Sequence, residues 1–139
     1  MKREHCIIVC IVAMLLGIYI YIFLSDTPDI FSEFQSYIKF TKYKISNPII
    51  DTFIQCYSAD LLWSISFTFI VQAIVMLPKE KIYLLLLTPT LGVAVEISQL
   101  FHIIRGVYDI CDIGVYIIGS IISTLIIYLG GKRNELQSK

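Results

Sequence analysis

Four long apolar runs alternate with polar connections along the chain. The first, Cys6 to Leu24, is long enough to cross a bilayer as a helix, which takes about 20 residues. The second runs from Asp60 to Leu77, the third from Ile82 to Ile104 and the fourth from Ile113 to Leu129. Within the second, Asp60, Ser64, Thr68 and Gln72 recur every four residues and form a slowly turning polar stripe. Thr88, Gly92, Glu96 and Gln99 share a face of the third, and Asp112, Tyr116, Gly119 and Ser123 a face of the fourth. Polar stripes on apolar helices belong against other helices, and Gly119 with Ser123 allows close approach. The first run is apolar all round except Gly17, which predicts a peripheral or partner-facing helix. Pro89 frees one backbone carbonyl and predicts a bend in the third run.

Residues 25–58 are mixed in character. Thr27-Pro28 and Asn47-Pro48 each suit a helix start, with a capping side chain followed by proline in the first turn. Phe31, Phe34 and Ile38 follow the first; Ile50, Phe53, Ile54 and Tyr57 follow the second. Neither stretch is long enough to span. Short amphipathic helices at the interface, or an ordered loop packed on the spans, both fit. The fold expected is therefore all-α, a single membrane domain over 1–139 with four transmembrane helices and short interfacial helices in the first outer loop.

Composition agrees. The chain has 139 residues, 57% hydrophobic and only 16% charged, with a mean hydropathy of +0.78. A soluble domain has about a quarter of its residues charged. The net charge of zero supplies no basic field for nucleic acid. A signal peptide is rejected for the first run, because the run exceeds a normal h-region and lacks a small-x-small site after it. Cysteines 6, 10, 56 and 111 form no CxxC pair, and His5 and His102 are far apart, so neither a zinc site nor another cofactor is expected. Cys56 and Cys111 fall on one side, where a bridge could form.

The positive-inside rule sets the orientation. With the N-terminus inside, Lys2, Arg3, Lys79, Lys81, Lys132, Arg133 and Lys139 are cytoplasmic, and Lys39, Lys42, Lys44 and Arg105 lie outside. Both termini are then cytoplasmic, in the plasma membrane. Counting outward from the turn at Lys79 places Asp60 and Gln99 at similar heights, at about 1.5 Å per residue. Asp112 opens the fourth run at the same edge. Asp60, Gln99, Arg105, Asp109 and Asp112 should meet at one level, with Glu96 about one turn beneath. Four acids against one arginine cannot all ionise cheaply in a partly dry site, so some are protonated or a cation assists. Charged groups at such depth mark either a functional site or an ion-pair lock.

The order E-x-x-Q (Glu96, Gln99), R-G-x-x-D-x-x-D (Arg105, Gly106, Asp109, Asp112) and a glycine-containing helix (Gly119) resembles the VanZ-like family. Asp60-x-x-Trp63 is similar to the opening of the second span in some members. The specific part covers about 30 residues. Many relatives carry Asn four residues after the final Asp, where this chain has Tyr116. The resemblance implies a bacterial membrane protein of the cell envelope, related to a protein associated with resistance to teicoplanin. It does not imply a reaction.

Three functional readings follow. The first is a non-enzymatic envelope protein, in contact with membrane lipid, whose outer polar site binds a lipid-linked or cell-wall-related ligand or a partner. The second is a small proton-coupled transporter or exporter, acting as a homodimer. The third is a membrane enzyme holding Mg²⁺ on Asp109 and Asp112. Against the third stands the lack of any complete catalytic motif.

Overall fold

The structure, a computed structural model, describes residues 1–24, 46–104 and 106–137, with side chains as far as Gly131. The helix start expected at Thr27-Pro28 and the site residue Arg105 lie outside the described residues. Among the described residues the fold is all-helical, without strands. Helix α1 spans Arg3–Phe23, α2 Pro48–Cys56 and α3 Ser58–Val75. A 3₁₀ segment, Lys79–Leu87, leads into α4, Thr90–Leu100, and α5 spans Ile110–Gln137. α1, α3, the Lys79–Leu100 rod and α5 as far as Gly131 are each long and apolar enough to cross a membrane.

The α2 start follows the sequence expectation. The Asn47 side chain accepts from the amides of Ile49 (3.0 Å) and Ile50 (3.4 Å), with Pro48 in the first turn. A capping side chain occupies backbone donors that the first turn of a helix leaves unpaired.

Three boundaries differ from expectation. The fourth run does not stop at Leu129: α5 continues to Gln137, and its polar tail extends the same helix. The third run is not one α-helix from 82 to 104. Its first part is 3₁₀, and α4 ends at Leu100. Ile82, Leu85 and Thr88 are buried while Tyr83, Leu84, Leu86 and Leu87 are exposed. A three-residue spacing of inward positions suits three residues per turn. At α4's end His102 adopts φ 55°, the left-handed cap normally given to glycine, and its amide donates to the Gln99 carbonyl at 2.9 Å.

The first helix is also less isolated than its apolar sequence suggests. Cys6, Cys10, Ala13 and Gly17 form a small-residue face buried against α3. The Cys10 and Ser66 side chains meet at 3.3 Å, and the Ser66 hydroxyl donates to the Cys10 carbonyl at 3.1 Å. At Gly17 an added Cβ would lie 3.4 Å from Leu62 and 3.5 Å from Trp63. The opposite face, with Ile8 and Leu15, stays open.

The helices alternate in direction. Met1 packs against Gly130, and Lys79 Nζ sits 5.6 Å from the centre of the Tyr128 ring. The chain start, the Lys79 turn and the distal part of α5 therefore share one end. The apolar core, including Cys6, Phe69, Leu85 and Ile127, lies towards that end. The acids gather at the other.

Candidate polar site at the helix ends

Pro89 prepares the middle of the bundle. It has no N–H to offer the Leu85 carbonyl four residues back. That carbonyl instead accepts from the Thr88 amide (3.0 Å), the Thr88 hydroxyl (2.7 Å) and the Ser120 hydroxyl (3.0 Å). Thr88 Oγ1 also meets Thr68 Oγ1 at 2.8 Å and Ser120 Oγ at 3.1 Å. All three hydroxyl side chains are buried. The stripes of α3 and α5 thus converge on the carbonyl that proline releases, in a region where an unpaired polar group is costly.

The 3₁₀ segment also changes depth. Eight steps at about 2.0 Å rather than 1.5 Å per residue carry the following helix outward by about 4 Å. Glu96 and Gln99 move outward together, and the Glu96 carboxylate reaches the Asp109 amide from its place about one turn before Gln99.

At the acidic end, Tyr116 Oη donates to the Asp60 carboxylate at 3.0 Å. Ser64 Oγ donates to the Tyr116 carbonyl at 2.7 Å. Glycines make room for this: a Cβ at Gly92 would fall 2.5 Å from the Tyr116 ring, and one at Gly119 would fall 2.9 Å from Ser64. Glu96 is 2% exposed. Its Oε2 accepts from the Asp109 amide at 3.2 Å. The Gln99 amide, in the orientation that satisfies both its groups, donates to Glu96 Oε2 at 3.2 Å and to the Val107 carbonyl at 3.1 Å. Gly106, at φ 150°, lets the connection pass over Gln99, because a Cβ there would meet that side chain at 2.5 Å.

Asp109 caps α5. Its Oδ1 accepts from the Cys111 amide at 2.8 Å, and its Oδ2 accepts from Tyr57 Oη at 3.5 Å. The Cys111 thiol, hydrogen-bonded to the phenol, and the Asp109 charge beside it push the Tyr57 hydroxyl up to about 12. Asp112 lies within electrostatic range of Asp60, Glu96 and Asp109. Of the six residues expected to converge, Asp60, Glu96, Gln99, Asp109 and Asp112 do so.

Two members were not among the expected six. Tyr116 touches Asp60 and lies against Gly92; its place one turn after Asp112 was the available signal. Tyr57 ties α2 to the site through Asp109. Each oxygen of Asp109 already accepts one hydrogen bond, so a Mg²⁺ ion on Asp109 and Asp112, the third reading, would compete with the helix cap. Cys56 and Cys111 are free thiols, both exposed.

The arrangement gathers acidic groups from α3, α4 and α5 at one end of an otherwise apolar bundle. A scan against protein-family models and searches of curated proteins and solved structures found no match to this chain.

Proposed function

We propose that this chain is a multi-pass protein of the bacterial plasma membrane, with both termini cytoplasmic and the acid cluster facing outward. Exposed apolar side chains on every long helix support insertion, among them Leu15, Ile74, Leu87 and Leu125. Patches of this extent are rare on soluble monomers. Lys2, Arg3, Lys79 and Lys81 at the end opposite the acids fit the positive-inside rule. α2 lies at the outer interface, where Ile49 and Phe53 are exposed beside an apolar groove of about 450 Å³ lined also by Pro48, Thr52 and Tyr57.

The protein acts in the cell envelope as a VanZ-like, non-enzymatic binder of a lipid-linked or cell-wall-related ligand or partner. One observation carries this reading: Glu96 is almost fully enclosed and, among the described residues, is held by an amide N–H and a glutamine in a nest of further acids. Keeping an acidic side chain in such a place costs on the order of 3 kcal/mol at mid-membrane and less towards the edge, a cost usually tied to use. The family assignment rests on the motif residues Glu96, Gln99, Asp109 and Asp112 occurring around one site.

Deletion of the gene should change sensitivity to teicoplanin-type glycopeptides, and Glu96→Gln should reproduce the change at normal protein abundance. Unaltered sensitivity in both strains would refute the envelope reading. A Glu96→Gln chain that is merely scarce would assign Glu96 to an ion-pair or hydrogen-bonded lock.

A small proton-coupled transporter, working as a homodimer, is the second reading. The buried Thr68–Thr88–Ser120 hydroxyl cluster favours it, because polar groups near mid-depth are what transport requires. Glu96-dependent flux in reconstituted vesicles would select it.

A further inference from the structure

α3 and α5 run side by side in the same direction and pair their polar residues at a constant offset. Ser64 stands with Tyr116 and Thr68 with Ser120; the same 52-residue offset puts Asp60 level with Asp112 and Gln72 level with Thr124, where Phe69, Ala73 and Ile127 share one cluster. The Ser64–Tyr116 pair is joined from the Ser64 hydroxyl to the Tyr116 carbonyl. The Thr68–Ser120 pair is joined through Thr88. The helices remain in contact through Gly119 against Ser64. Each pair lies one turn below the last, so the seam covers about 18 Å from Asp60 to Gln72.

The Gln72–Thr124 pair differs from those above it. Gln72 is 3% exposed and Thr124 8% exposed. Gln72 Nε2 donates to the Leu77 carbonyl at 3.3 Å, but among the described residues Gln72 Oε1 has no hydrogen-bond partner, and neither has Thr124 Oγ1. Two orphaned polar atoms at the same level of one seam, each enclosed, would be expensive to leave dry. One is an acceptor only. The other can donate and accept. We infer that an internal water molecule binds between Gln72 Oε1 and Thr124 Oγ1, at the end of the α3–α5 seam away from the acids.

A water donating to Gln72 Oε1 and exchanging a hydrogen bond with Thr124 Oγ1 satisfies both atoms, and bound waters normally make two to four such bonds. It extends the hydrogen-bonded part of the seam to a third successive turn, next to the apolar core of Phe69 and Ile127. The site does not depend on what the acid cluster binds.

The test is a double-mutant cycle in the full chain in lipid nanodiscs, using Gln72→Leu, Thr124→Val and both together. Each single change strands the remaining polar atom; the double change removes the need for water. The singles should shift the unfolding equilibrium by about tenfold and the double by much less than their product. Thr124→Ser, which keeps the hydroxyl, should behave as the parent. Radiolytic footprinting supplies the second readout, since radicals generated from a bound water modify the enclosed side chains around it. Labelling at Gln72 and its neighbours, lost in the double variant, is expected. Additive effects in the cycle, or labelling confined to exposed positions, would overturn the site.

Discussion

The Tyr116 hydroxyl reaches across the bundle to the Asp60 carboxylate at 3.0 Å, and it can do so only because residue 92 has no side chain. The ring lies where a Cβ of residue 92 would be. Gly92→Ala should therefore dislodge Tyr116 and cost about 1–3 kcal/mol by overpacking. Tyr116→Phe keeps the ring and removes only the donor, costing about 1–3 kcal/mol by stranding Asp60. In a Tyr116→Ala background the Gly92→Ala penalty should largely vanish. Denaturant titration of the purified chain in detergent reads all three, and an undiminished Gly92→Ala cost in that background would contradict the contact.

The Leu85 carbonyl gives a second cycle. Ser120→Ala removes one of its donors and should destabilise by about 1 kcal/mol. Pro89→Ala returns the missing amide N–H, so the same serine change should then cost less. Equal costs in the two backgrounds would mean that the proline does not govern this network.

These relationships separate what the residues announced from what they hid. The four-residue stripe from Asp60 to Gln72 was legible because a helix turns with nearly that period. Asn47-Pro48 was legible because a cap and a proline act locally. The 3₁₀ character of Lys79–Leu87 was not, because Leu84 to Leu87 are apolar on every face and carry no period. The packing of α1 was also hidden: Cys6, Cys10, Ala13 and Gly17 are as apolar as their neighbours, and only their size distinguishes them. Tyr116 was legible as a stripe residue, but its reach to Asp60 depends on Gly92 in a third helix. Such contacts between distant segments cannot be read from local spacing.

Gly106 combines two constraints that mutation can separate. Its φ of 150° is unfavourable for an L-residue, and a Cβ would meet Gln99. Gly106→Ala should cost about 1–3 kcal/mol, in line with other strained backbone positions. Adding Gln99→Ala relieves the contact and leaves the backbone strain, so rescue should be partial. Full rescue would reduce the glycine's role to sterics.

Alkaline titration tests Tyr57. Its phenol is pushed up to about 12 from an ordinary value of 10.0. A raised value for an acid means that the folded chain favours the neutral phenol. That preference is complete below pH 10 and fades as pH rises towards 12. Ultraviolet titration should show late tyrosinate absorbance that Tyr57→Phe lowers by one tyrosine. The same substitution should flatten the loss of α2 amide protection across that interval, because the hydrogen bond to Asp109 no longer titrates with it. Late absorbance left unchanged by Tyr57→Phe would belong to other tyrosines.

Orientation can be read from the cysteines. Cys56 and Cys111 are exposed thiols at the acidic end, one at the last residue of α2 and one beside the Asp109 cap. Cys6 and Cys10 are enclosed between α1 and α3. If the acids face outward, a membrane-impermeant maleimide added to intact cells should label the first two and spare the others. Single-cysteine variants at 56 and 111 assign the signal. Lysis should add little labelling at those two, since they are already reached from outside. Reaction only after lysis would place the acid cluster on the cytoplasmic face. It would also reverse the charge assignment, bringing Lys79 and Lys81 outside, and remove the access that an external cell-wall ligand requires.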